Sequence, residues 1–170
     1  MLAYTIFMNL SLIKLKHLSD LRSLAFVAIT LSLFIVMWTG VFNHWALYLT
    51  TIWFVFVSAV VNHNHQHYGT FKNKITDNLY SIVMSFAIGN AATSVRSFHH
   101  ENHHQHNNTD LDYNRSHILN TGFNFLDFLL LPIPITYEVY LNKAKHFYEW
   151  KINRPKLYKQ LQIERLVFYG

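Results

Sequence analysis

Eight of the twelve histidines in this 170-residue chain fall in two windows, His63 to His67 and His99 to His106, where random placement would leave about one; a local bias of that kind reads as metal binding. Neutral imidazole is a ligand for Fe, Zn, Cu and Ni. The chain has no cysteine, which excludes thiolate metal sites, Fe–S clusters, disulfides and a cysteine nucleophile, so any metal must be held by nitrogen or oxygen. At about 100° per residue, His63 and His67 share one face of a helix, and His100, His103 and His104 project together from one side of another. His65 points about 200° away from His63 and is expected to face solvent or to support a ligand from behind. His99 and His106, about 100° and 240° from His100, are expected off the shared face. Asn62, Asn64, Glu101, Asn102, Asn107, Asn108, Asp110 and Asp112 are nearby acceptors for imidazole N–H groups; Glu101, Asn108 and Asp110 are the candidates singled out to orient ligating rings.

These side chains need elements to carry them, and the charge pattern says which. Between Arg22 and Lys72 lie 49 consecutive residues without Asp, Glu, Lys or Arg, in a chain that is 51% hydrophobic and only 14% charged. A soluble domain carries roughly 25% charged residues. One bilayer crossing takes about 20 apolar residues, so the run suffices for two crossings with a short turn. Leu24 to Trp38 and Trp45 to Val61 are the expected spans, and Gly40 and Asn43 lie in the turn between them. Three basic residues precede the hairpin (Lys14, Lys16, Arg22), eleven follow it and none lies in its turn. By the positive-inside tendency both ends, and with them the histidines, are expected on the cytoplasmic side.

The remaining segments are expected to be helical as well. Met1 to Ile13 is apolar, with its positive charges after it rather than before it, the reverse of a signal peptide. It reads as an interfacial helix with Lys14, Lys16 and His17 at the headgroups. Asn78 to Val95 is uncharged but rich in Ser, Thr and Asn, and is expected in the interface or against the bundle. Ile118 to Leu141 is apolar but interrupted by Asp127 and by Pro132 and Pro134, and is expected to be re-entrant or membrane-associated. Residues 142–170 are basic and aromatic, as expected beside lipid headgroups, with nucleic acid the weaker partner for the patch. The fold class expected is therefore all-α: one domain over 1–170, an integral membrane bundle with one transmembrane hairpin (24–61), a cytoplasmic histidine region (62–117) and interfacial or re-entrant helices.

The ordered series of hairpin, HxxxH, HxxHH and basic aromatic segment resembles the integral-membrane fatty acid desaturase/hydroxylase superfamily. His63 and His67, followed by Gly69 and Thr70, match its first histidine box. His100, His103 and His104, followed by Asn107, Asn108, Thr109 and Asp110, match its second, and the resemblance extends over residues 24–170. It implies a non-haem di-iron centre with His63, His67, His100, His103 and His104 as iron ligands, and no catalytic residue apart from them. It also implies O2-dependent desaturation or hydroxylation of a lipid acyl C–H bond, with electrons from a ferredoxin, cytochrome b5 or reductase-type donor. The chain departs from that family in one respect. No third box, HxxHH or QxxHH, follows His106, after which only His117 and His146 remain. The expectation is a family member truncated before that box, with an incomplete ligand set. A non-catalytic membrane protein that binds Zn or Ni through the same histidines is the alternative. A haem protein with axial histidines from two spans is disfavoured, because Leu24 to Trp38 contains no histidine.

Overall fold

Residues 13–170 are described by a computed structural model; the expected helix over Met1 to Ile13 lies outside them except for Ile13. Among the described residues the structure is all-α, with no strand and one isolated antiparallel bridge between Leu15 and Phe71. The chain divides into two compact units, the first comprising the described residues up to 92 with 162–170 and the second 93–161.

The charge-free run forms two helices, α1 (Asp20–Thr39) and α2 (Trp45–Tyr68). Asp20 occupies the first turn of α1, where a carboxylate faces the positive end of the helix dipole, and its Oδ2 accepts from the His17 backbone N–H at 2.9 Å. Gly40 ends α1 in the left-handed conformation at φ 65°, its N–H bonding back to the Met37 carbonyl. His44 then caps α2, its Nδ1 accepting from the Ala46 N–H at 3.2 Å. Each helix is longer than its expected span, and α2 continues past Val61 to carry the first histidine pair on its last turns. Both are long and apolar enough to cross a membrane, and their apolar windows are only 11% and 28% buried. Trp38, Trp45, Ile52, Trp53 and Phe56 all lie exposed on the pair. Where α1 meets α2, Thr30 Oγ1 and Ser58 Oγ, both fully buried, are 2.7 Å apart, and the Phe26 and Phe54 rings pack with centroids 6.3 Å apart.

The third helix, α3 (Lys74–Ile88), starts at Asn73, whose Oδ1 accepts from the Ile75 and Thr76 N–H groups at 2.9 and 3.2 Å. It buries Tyr80, Met84 and Ala87 in a cluster with Val27, Val61, Phe71 and Ala92. The Ser residues that made this segment look only weakly lipid-like turn inward: Ser85 Oγ accepts from the Ala92 N–H at 2.9 Å, and Ser81 lies buried beside α2. The segment therefore packs against the hairpin through its polar stripe as well as its apolar one.

The second unit begins with a helix in three stretches, α4 (Val95–Phe98), a π-helical turn (His99–His103) and α5 (His104–His106). After an irregular segment come α6 (Asn124–Leu130), α7 (Pro132–Asn153) and α8 (Pro155–Tyr169), the last continuing past residue 161 into the first unit's residues. The proline break expected within 118–141 is a helix boundary. Pro132 opens α7 at a position where its missing N–H has no intrahelical partner to lose. Trp150 and Leu161 are buried to 1% and 0% exposure.

Candidate functional site

At the end of α2, the half-buried rings of His63 and His67 have centroids 4.8 Å apart, as their four-residue spacing requires. An imidazole bound through nitrogen holds its centroid about 3.2 Å from the ion, so two rings sharing one ion have centroids up to about 6.4 Å apart. The pair fits that limit. His65, on the opposite side, does not face solvent. It is 6% exposed and wedged between α2 and α3, with Nδ1 2.9 Å from Thr70 Oγ1 and Nε2 2.8 Å from Ser81 Oγ. The spacing placed it correctly on the far face, but α3 covers that face, so His65 holds the two helices together.

The turn after the pair is built around Asp77 and Gly69. Asp77 Oδ1 accepts from the backbone N–H groups of Thr70 (2.8 Å) and Phe71 (3.0 Å). Burial pushes its pKa up, but those two hydrogen bonds, with His65 and Lys74 nearby, outweigh burial and leave the carboxyl below its ordinary range. Gly69 ends α2 at φ 66°, ψ 165°, a conformation essentially reserved for glycine. A Cβ there would lie 2.8 Å from Asp77 Oδ2. The Lys16 ammonium, which donates to the Tyr68 carbonyl, closes the same turn from outside.

In the second unit the π turn changes which histidines meet. The His104 N–H reaches the His99 carbonyl, five residues back. On a regular helix His99 would lie about 40° from His103 but about 140° from His104; the wider winding brings it over both. Ring centroids of His99 are 4.5 Å from His104, 5.3 Å from His103 and 5.6 Å from His100. His100 and His103 each lie 5.8 Å from His104. His99, expected off the shared face from its offset to His100, instead joins the cluster of the other three.

Asp112 fixes one of these rings. Fully buried, it accepts from His103 Nδ1 at 2.7 Å and from the backbone N–H groups of Asn108 (2.7 Å) and Asn114 (2.8 Å). Burial pushes its pKa up, but the Asn114 and Asn108 N–H groups and His103 together bring it below the ordinary carboxylate range. An ionised Asp112 can only accept, so Nδ1 of His103 carries a proton, which turns Nε2 outward as in a metal-ligating histidine held by a carboxylate. The segment that delivers Asp112 is itself pinned to the π turn. Asn102 donates to the Leu111 carbonyl at 2.8 Å and accepts from the Tyr113 N–H at 2.7 Å. Asn107 and Asn108 take φ values of 36° and 64°, which Asn tolerates better than most residues.

The three residues singled out to orient ligating rings have other contacts here. Glu101 accepts from Trp150 Nε1 (2.7 Å) and Arg154 Nη1 (2.5 Å). Asn108 Oδ1 accepts from Ser116 at 2.7 Å, and Asp110 pairs with His117 at 3.2 Å. Asp112, not among those three, is hydrogen-bonded to the box histidine His103. No family model, curated protein or solved structure matches the chain.

Proposed function

We propose that the chain is a fatty acid desaturase-like membrane oxidoreductase that uses O2 and non-haem iron on the acyl C–H bonds of lipids. The single observation that carries this reading is the histidine cluster of the π turn with Asp112 hydrogen-bonded to His103 Nδ1. The donor set fits iron, being nitrogen donors with a carboxylate behind one of them. His63, His67, His100, His103 and His104 would hold the metal, with His99 a sixth imidazole beside the last three. Iron bound by them supplies O2 activation, which these side chains have no means to perform alone.

What the residues contribute is position and surroundings. Asp112 turns His103 Nε2 outward, and Gly69 and Asp77 fix the turn after His67. The exposed apolar faces of α1 and α2, about 30 Å long or more, support membrane integration, because a core helix of a soluble protein would be mostly buried. With both ends of the hairpin cytoplasmic, the histidines emerge at the membrane–water boundary within reach of an acyl chain and of a soluble electron donor. The exposed apolar side chains of 123–141 form a further lipid-associated surface. For desaturation the balance is one O2, two electrons and two protons from outside, and two hydrogens from the substrate, giving one C=C bond and two waters.

The test is to purify the chain anaerobically in detergent with Fe(II), then supply O2, a chemical reductant and phospholipid. Bound iron and an unsaturated or hydroxylated acyl product, both lost in His63→Ala/His67→Ala and in His103→Ala/His104→Ala, are expected. Zn or Ni retention without iron-dependent lipid oxidation would assign the histidines to a non-catalytic metal-binding protein instead.

A further inference from the structure

The second unit holds another group of ligand-type side chains outside the histidine cluster. One donor atom each from Glu101, His146 and Glu149 lie within 4.8 Å of one another. His146 Nδ1 is 3.7 Å from Glu101 Oε2 and 4.0 Å from Glu149 Oε2. These separations are too long for hydrogen bonds. They are close to the roughly 3.4 Å between two donors that share one tetrahedral cation at 2.0–2.2 Å. His146 is only 9% exposed, yet neither of its ring nitrogens has a hydrogen-bond partner among the described residues. Buried polar atoms are ordinarily paired, so a ring turned toward two carboxylates without bonding either points to a missing ligand between them.

The neighbours are consistent with that. Trp150 and Arg154 each take one oxygen of Glu101, which orients the carboxylate and leaves each oxygen a second lone pair. Glu149 lies three residues after His146 on α7, hence on the same face, and is partly open to solvent. A cleft of about 240 Å³, lined also by Asn102, His106, Tyr113 and Lys145, gives access to the three donors. Arg154 and Arg96 flank Glu101 and offset its charge, which leaves Glu149 as the carboxylate that balances an incoming cation.

We infer that Glu101, His146 and Glu149 bind a divalent transition-metal cation in a site distinct from the histidine boxes. Zn(II) is the probe, because its borderline preference suits one nitrogen and two oxygens with water completing the shell. The test titrates Zn(II) into the metal-free full-length chain in detergent, with calorimetry and metal analysis after desalting. Glu149→Gln and His146→Gln are each expected to lose one equivalent of zinc or to weaken it at least tenfold. His63→Ala/His67→Ala is expected to retain that equivalent, which separates this site from the box histidines. Circular dichroism checks the folding of the buried His146→Gln. If that variant unfolds, Glu149→Gln reads the site alone, since its side chain is partly exposed. Wild-type stoichiometry and affinity in Glu149→Gln would overturn the inference and leave the cluster as a contact between His146 and its carboxylates that holds no metal.

Discussion

The position of one proton on His103 depends on Asp112. An ionised carboxylate at 2.7 Å from Nδ1 forces the proton there and leaves Nε2 free to bind a metal. Asp112→Asn can present an amide N–H to the ring in place of Oδ2, favouring the opposite tautomer; its carbonyl then still accepts from the Asn114 N–H, while the Asn108 N–H loses its acceptor. Fe(II) or Zn(II) affinity at the histidine cluster is expected to fall about 10–100-fold; an unchanged titration would show that Asp112 does not orient a ligand. The types and spacing of His63, His67, His100, His103 and His104 were legible in the sequence because a four-residue or three-residue interval has one meaning on a regular helix. His99 was set off the shared face by its offset from His100, and its approach to His104 depends on a π turn that nothing in the composition announces. The contacts of Glu101 with Trp150 and Arg154 were not legible, because partners 49 and 53 residues apart leave no local pattern.

Elements were read more completely where local chemistry ends them. The charge-free run, Gly40 and the turn around Asn43 located the helical pair, whereas the burial of His65 beneath α3 rests on a contact with Ser81, sixteen residues on, that leaves no local pattern. Where α2 stops is set by Gly69, and two expectations follow from that turn. Gly69→Ala must adopt φ 66°, ψ 165° and place a methyl against Asp77, so unfolding in detergent should show a loss of about 1–3 kcal/mol. No loss would mean that the turn relaxes. Asp77 has its pKa lowered in the fold, chiefly by the Phe71 and Thr70 N–H groups acting against burial. It therefore contributes stability that is fully present above the unfolded value of about 3.9 and is lost as pH falls through the lower folded value. A pH series of thermal unfolding should lose part of its acid slope in Asp77→Asn; an identical slope would contradict the assignment.

For the whole molecule, the distribution of charge matters more than its sum of +5. No basic residue lies in the turn between α1 and α2, while basic residues flank the hairpin on both sides. Since the chain has no cysteine, single substitutions report sidedness without background. In spheroplasts, Asn43→Cys should react with a membrane-impermeant maleimide and Lys151→Cys should react only after lysis; the reverse pattern would invert the topology, and equal labelling would remove the membrane reading. The two units each carry one of the histidine groups on a separate stretch of chain, and the proposed function has the imidazoles of both bind iron. Iron K-edge X-ray absorption on the anaerobically Fe(II)-loaded full chain tests it most directly. The account predicts retained iron with imidazole scattering that diminishes both in His63→Ala/His67→Ala and in His103→Ala/His104→Ala. Iron that washes out on desalting, or an iron environment unchanged by either substitution, would contradict it.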